Sequence, residues 1–361
     1  MRKMNKCLRS FVGAMVLGLL VWYGTATMAV NDTWTIIDMA GRKVTIPKKI
    51  QKVFSTSQIG TIFMYTLAPE KIAGWSFAFS ETDKKYIRPE YLKLPVLGTW
   101  SGKNGTINIE KLIQTAPDMI LSIGTLTEMD ISGAERLQEQ SKIPVVLVDG
   151  NLTQLDKAYK FVGDLLAEKT RAKELGDDCR KTISTIEERK AAGTLKRLVR
   201  VYYAEGPKGL ESDPKGSFHT EVLDFVGGIN VAEVPKLQGY GRSQVSMEQL
   251  LAWDPQVILV GNDQDANVGA YERIMTNPDW AGIQGVKNHR VYRIPAHPFD
   301  WFDRPPGVNR VIGVRWLANL LYPGVYKMDI KAETKRFYQL FYHYSLTSRE
   351  VEEILSGALG K

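Results

Sequence analysis

Residues 153–193 read TQLDKAYKFVGDLLAEKTRAKELGDDCRKTISTIEERKAAG, and this stretch decides the fold. Leu155, Ala158, Tyr159, Val162, Leu165, Leu166, Ala172, Leu175, Cys179, Ile183 and Ile186 recur at three-and-four spacing, while Lys, Arg, Asp and Glu fill the opposite face. That periodicity predicts one amphipathic helix from Thr153, an N-cap residue type with Asp156 three residues on, to Gly193, which suits the position just past the C-cap. Gly163 and Gly176 lie inside it and weaken a helix by roughly 1 kcal/mol each relative to alanine. At 1.5 Å per residue such a helix spans about 60 Å, long enough to brace two bodies apart.

The flanking segments echo each other. Ile107-Asn-Ile-Glu110-Lys-Leu-Ile-Gln-Thr-Ala-Pro117-Asp-Met-Ile-Leu121 precedes the helix, and Val245-Ser-Met-Glu248-Gln-Leu-Leu-Ala-Trp-Asp-Pro255-Gln-Val-Ile-Leu259 follows it. Each reads as a capped short helix, a proline stop and a buried strand. Elsewhere short apolar strands alternate with helices, as at Met119–Ile123, Val145–Val148, Leu198–Tyr203, Val257–Val260 and Val291–Ile294. That alternation predicts an α/β chain of two Rossmann-like lobes with mostly parallel sheets, joined by one long rigid helix. The expected divisions are a first lobe at 30–152, the connecting helix at 153–193 and a second lobe at 194–361.

A length of 361 residues fits two domains. The net charge of +7 is concentrated at the start: Arg2, Lys3, Lys6 and Arg9 stand in residues 1–29 with no acid, leaving +3 for the rest. No basic-aromatic interleaving supports nucleic-acid binding. The basic start, the apolar run Phe11–Trp22 and small residues at Ala26, Thr27 and Ala29 form a secretory signal pattern. Cys7 precedes the apolar run, so it does not sit where a lipoprotein cysteine would. With cleavage only Cys179 remains, which excludes an internal disulfide.

Ligands of open α/β sheets bind beyond the carboxyl ends of the strands. Those loops carry Trp75 and Trp100 in the first lobe and Tyr203, Tyr240 and Trp301 in the second, the flat side chains expected to wall a large, partly apolar ligand. Lys103, Arg242 and Arg304 add positive charge for an anionic one. His219 and His297 stand in separate loops without paired metal-ligand spacing, so they suit the axial position of a chelated metal better than a bare ion. The segment Gly74-Trp-Ser-Phe-Ala78 only partly matches a nucleophile elbow, and no histidine can be placed beside Ser76.

Several elements resemble the binding proteins of iron–siderophore and vitamin B12 ABC importers: Leu67-Ala-Pro-Glu-Lys71, Asn108-Ile-Glu-Lys-Leu with Ala-Pro-Asp118, the long central helix, Phe218-His-Thr-Glu-Val-Leu with Gly-Gly-Ile-Asn230, and Ser246-Met-Glu-Gln-Leu with Asp-Pro-Gln256. The likeness covers the chain beyond its signal segment. It implies a monomeric periplasmic protein with no resident cofactor and no enzymatic activity, which carries a metal chelate between its lobes to an inner-membrane permease. An iron chelate of the siderophore type is the expected cargo. Corrinoid or haem, a small metal complex such as nickel–histidine, or an oxyanion such as molybdate are the alternatives, and a secreted hydrolase is the rival from another class. The resemblance also implies one exposed glutamate per lobe docking on permease arginines; by position these are Glu110 and Glu248.

Overall fold

The computed structural model describes residues 32–100, 105–235, 242–261 and 269–360. The expected signal segment, Lys103 and Tyr240 lie outside the described residues.

The chain opens with an antiparallel hairpin of β1 (Thr33–Ile37) and β2 (Lys43–Pro47), which buries Ile36, Val44 and Ile46. Asp38 closes its turn, accepting from the Ala40 and Arg42 backbone at 3.1 and 2.9 Å and from the Arg42 guanidinium at 2.8 Å. The same carboxylate accepts from Leu147 N at 3.2 Å, which hooks the hairpin onto the first lobe's sheet.

That sheet is β3 (Val53–Ser55), β4 (Met119–Gly124) and β5 (Val145–Asp149), all parallel in that spatial order. The chain between β3 and β4 supplies α1 (Gln58–Leu67), α2 (Glu81–Lys84) and α3 (Ile109–Thr115), and α4 (Glu128–Ser141) crosses from β4 to β5. Two isolated parallel bridges extend this region, Val53 with Ile72 and Trp75 with Val96.

The single helix expected over 153–193 is two helices, a correction to the sequence reading. α5 (Leu155–Leu166) stops at Ala167, whose φ of 60° is left-handed, and α6 (Lys169–Ala191) starts two residues later. The Ala167 and Glu168 amides both close on the Gly163 carbonyl. α6 then doubles back along α5. Gly163 and Gly176, which count against a lone helix, are the contact points: a Cβ on Gly163 would penetrate Ala172 Cβ, and one on Gly176 would lie 3.2 Å from the Asp156 carbonyl. Glycine is kept where two backbones approach this closely. A long helix does carry the chain to the second lobe, but it has 23 residues and spans about 35 Å.

The second lobe holds β6 (Arg200–Ala204), β7 (Glu211–Ser212), α7 (Glu221–Val226), β8 (Ile229–Asn230), β9 (Ser243–Gln244), α8 (Met247–Trp253), β10 (Val257–Val260), α9 (Ala270–Thr276), α10 (Gln284–Lys287) and β11 (Val291–Arg293). Its main sheet runs β11-β10-β6-β8, all parallel, and β7 pairs β9 antiparallel. Three helices finish the chain: α11 (Arg310–Leu321), α12 (Ile330–Tyr342) and α13 (Ser348–Ile354).

Strand alternation divides the core. Met119, Leu121, Ile123, Val146 and Val148 join one apolar cluster, which continues through Phe63, Tyr159, Leu175, Val311 and Phe341 to Val201, Tyr203, Val257 and Leu259 of the second lobe. The opposite faces feed two separate clusters, one on Ile120, Val145 and Leu147, the other on Tyr202, Ile258 and Val260. Both sheets are thus covered on both faces, as parallel sheets require. Residues 330–354, counted with the second lobe from the sequence, lie on the first: Tyr342 stacks on Tyr65 at 6.2 Å, Tyr338 meets Tyr86 at 5.7 Å and Glu353 pairs with Lys85 at 3.4 Å.

Gly163→Val should wedge α5 from α6 and cost about 1–3 kcal/mol, the usual cost of overpacking. Thermal unfolding measures it; an unchanged Tm would refute the close helix contact.

Candidate functional site

The second lobe concentrates charge just beyond the carboxyl end of β6. β6 delivers Glu205, completely buried. Arg242 and Arg304 both direct Nε at its Oε1, at 2.9 and 3.0 Å. Arg304 also reaches Asp213 at 2.9 Å and Asp303 at 3.2 Å, and Arg242 stands 3.9 Å from Glu211. Charge-assisted pairs of this kind fix the plane of a guanidinium. Burial pushes the Glu205 carboxyl up to about 8 despite the two arginines beside it.

Local chemistry positions these groups. Asp300, buried, accepts from the Phe302 and Asp303 amides at 2.7 and 3.0 Å and so forms the turn that aims Asp303 and Arg304 inward. Burial raises its own carboxyl to about 7. His219, from the short helical turn Phe218–Thr220, is bonded through Nδ1 to Asp303, and Tyr203 reaches the other Asp303 oxygen at 3.4 Å. Asp213, His219 and Asp303 offer donor atoms all within 4.8 Å of one another, a set able to ligate a metal ion. Arg304 lies against both of these carboxylates, so a guanidinium supplies the compensating positive charge there.

The expected aromatic wall takes a different form. Trp75 is 1% exposed, donates Nε1 to the Tyr91 carbonyl at 2.8 Å, and packs against Phe79 with ring centroids 4.5 Å apart. Tyr203 at 1% and Trp301 at 0% are also buried, Tyr203 against Phe302 at 4.8 Å. In this conformation these three rings are buried and hold the loops in place. Trp100 is half-buried and tied by Nε1 to the Gly133 carbonyl at 3.1 Å. Ser76 is buried and shares a 2.9 Å hydrogen bond with Thr61, which removes it as a nucleophile.

His297 serves the contact between lobes. Its Nδ1 meets Asp83 of α2 at 2.9 Å, while Phe77 packs on Phe299 at 5.7 Å. A second contact between the lobes is made by Arg310, fully buried, which bonds Glu221 of its own lobe and the Gly150 carbonyl of the other, and Glu221 accepts from Leu152 N at 3.1 Å. Glu205, Asp213, Asp303, Asp83 and Arg310 were not singled out from the sequence. The available signal was charge balance: an arginine placed in a half-buried loop needs an acid, and the loop 205–213 holds three.

Glu110 and Glu248 stand exposed in the first turns of α3 and α8, capped by Asn108 and Ser246. Among the described residues neither forms an ion pair. No helix among the described residues is long and apolar enough to cross a membrane.

The molybdate-binding protein MolA of Haemophilus influenzae is 28% identical over 340 residues, 86% of this chain and 91% of MolA. Its molybdate-bound structure matches with a TM-score of 0.65 and 25% identity, covering 87% of this chain and 99% of that one. An ABC transporter solute binding protein from Sulfurospirillum deleyianum matches with a TM-score of 0.80 and 28% identity over 89% of this chain and 98% of its own. A vitamin B12-binding protein of Vibrio cholerae is 26% identical over 208 residues, 55% of this chain and 67% of that protein. Residues 69–298 match the family model described as periplasmic binding protein. The chain belongs to the periplasmic binding protein family.

Proposed function

We propose that this protein is the substrate-binding subunit of an ABC importer and that its cargo is a compact oxyanion of the molybdate class. One observation carries the choice of cargo: Arg242 and Arg304 are locked by their Nε atoms onto the same buried carboxylate, Glu205. Prepositioned guanidiniums recognise tetrahedral oxyanions without paying again for side-chain order. The burial of Trp75, Tyr203 and Trp301 removes the flat walls a macrocycle needs, which disfavours corrinoid and haem. The 28% identity to a molybdate-binding protein points the same way. The iron chelate expected from the sequence is the second reading, favoured by the half-buried Trp100 and Phe218 in loops of the two lobes. Either cargo leaves the protein a carrier that performs no chemistry. Glu110 and Glu248 then dock the loaded protein on cationic groups of the permease, in the periplasm.

Calorimetric titration with molybdate, tungstate, sulfate, a ferric catecholate and cobalamin tests the cargo. Molybdate and tungstate should saturate one site, and Arg304→Ala should weaken them at least tenfold, about 1.4 kcal/mol. Saturation by the ferric catecholate alone would replace the oxyanion with the iron chelate.

Oxyanion affinity should also fall as pH rises through about 8, because Glu205 then ionises and adds a negative charge beside the anion. Glu205→Gln should flatten that dependence; a profile identical to the native one would remove Glu205 from the site. Glu110→Arg with Glu248→Arg should abolish uptake by cells while leaving solute affinity unchanged. A loss of affinity instead would refute the docking role.

A further inference from the structure

The echo between the two lobes extends to exposure. From Ile109 to Ile120 and from Met247 to Ile258 the order is the same at every position: half-buried, exposed, exposed, buried, exposed, exposed, half-buried, exposed, buried, half-buried, buried, buried. Both short helices end in a left-handed residue, Ala116 at φ 47° and Asp254 at φ 41°, ahead of a proline. The match means that α3 and α8 present the same face to solvent.

On that face an aliphatic residue follows each glutamate by three positions. Ile113 is 47% exposed and Leu251 is 46% exposed. Residues three apart on a helix are surface neighbours, so each glutamate sits beside an apolar patch. A single exposed aliphatic side chain is ordinary on any protein. Two at equivalent positions, equally exposed, each beside a glutamate that pairs with no described cation, are not accounted for by packing: Leu112 and Leu250 already fill the inward position of each helix and are completely buried. Val96 enlarges the first patch, being 44% exposed and joined to α3 by the Lys111 ammonium on its carbonyl at 2.9 Å.

We infer that Ile113 and Leu251 are paired apolar anchors for the importer's permease, each entering an apolar recess beside the cation that receives the neighbouring glutamate. The inference rests on the docking role proposed for Glu110 and Glu248 and adds a second, non-ionic component to it. Apolar cores rimmed by charge are the usual anatomy of protein interfaces. The glutamates set orientation and the rate of encounter, and the aliphatic pair slows dissociation. The two components separate by salt, since exposed ion pairs are screened and apolar contacts are not.

The test uses the full chain and right-side-out inner-membrane vesicles from its host cells, with binding measured at 0.15 and 0.5 M NaCl, which bracket weak and strong screening at about 8 Å and shorter Debye lengths. Ile113→Ser with Leu251→Ser should weaken vesicle binding at least tenfold at both salt concentrations, with solute affinity and Tm unchanged. Met129→Ser, at another exposed apolar residue of the first lobe, should bind as the native chain does. Native binding by the serine pair, with binding lost on Glu110→Ala and Glu248→Ala, overturns the anchors alone. Native binding by both pairs overturns the docking role as well. Equal binding to protein-free phospholipid vesicles would assign the patches to lipid, and a dimer in sedimentation that the serine pair abolishes would assign them to a second copy; either outcome overturns the inference.

Discussion

Asp178 sits buried on the inner face of α6 and accepts Arg315 of α11 at 2.6 Å and Arg336 of α12 at 2.5 Å, with Thr182 adding a bond to Arg315 at 2.6 Å. A carboxylate removed from water must be paired, and breaking such a pair costs about 3–5 kcal/mol. This constraint holds the bridging helix against the terminal helices, and those helices lie on both lobes. The two lobes are therefore tied together by a packed core. His297 with Asp83, and Arg310 with Gly150, close the same arrangement from the cleft side.

The site itself follows from the cost of burying charge. Arg304 and Arg242 can be held rigid in a half-buried pocket only because Glu205, Asp213 and Asp303 surround them. The acids give orientation, and they also lower the positive field around the two guanidiniums. Burial offsets part of that loss by pushing Glu205 toward its neutral form. On the proposed function, a rigid, partly neutralised arginine pair suits a carrier, which must both capture its cargo and release it.

Much of this architecture was legible in sequence because it depends on local chemistry. Asn108 and Ser246 cap their helices, Pro117 and Pro255 follow them, and the buried runs after the prolines become β4 and β10. The break between α5 and α6 was not legible, because the left-handed residue is Ala167 and no glycine, proline or asparagine marks it. Gly163 and Gly176 misled for a related reason: their value lies in a contact between helices, which periodicity along one helix cannot reveal. The burial of the aromatic loops was hidden in the same way. Trp75 and Trp301 were read from sequence as facing a ligand, and their burial in this conformation depends on partners that the local sequence does not show. Arginine and acid pairing was hidden because Glu205 and Arg304 are separated by about a hundred residues.

The return of α12 and α13 to the first lobe sets an order of completion. Most domains fold as units from their own stretch of chain. Here Tyr65 and Tyr86 acquire their aromatic partners Tyr342 and Tyr338 only from the last stretch of chain. The flank of the lobe that comes first in the sequence is thus closed by side chains that come last.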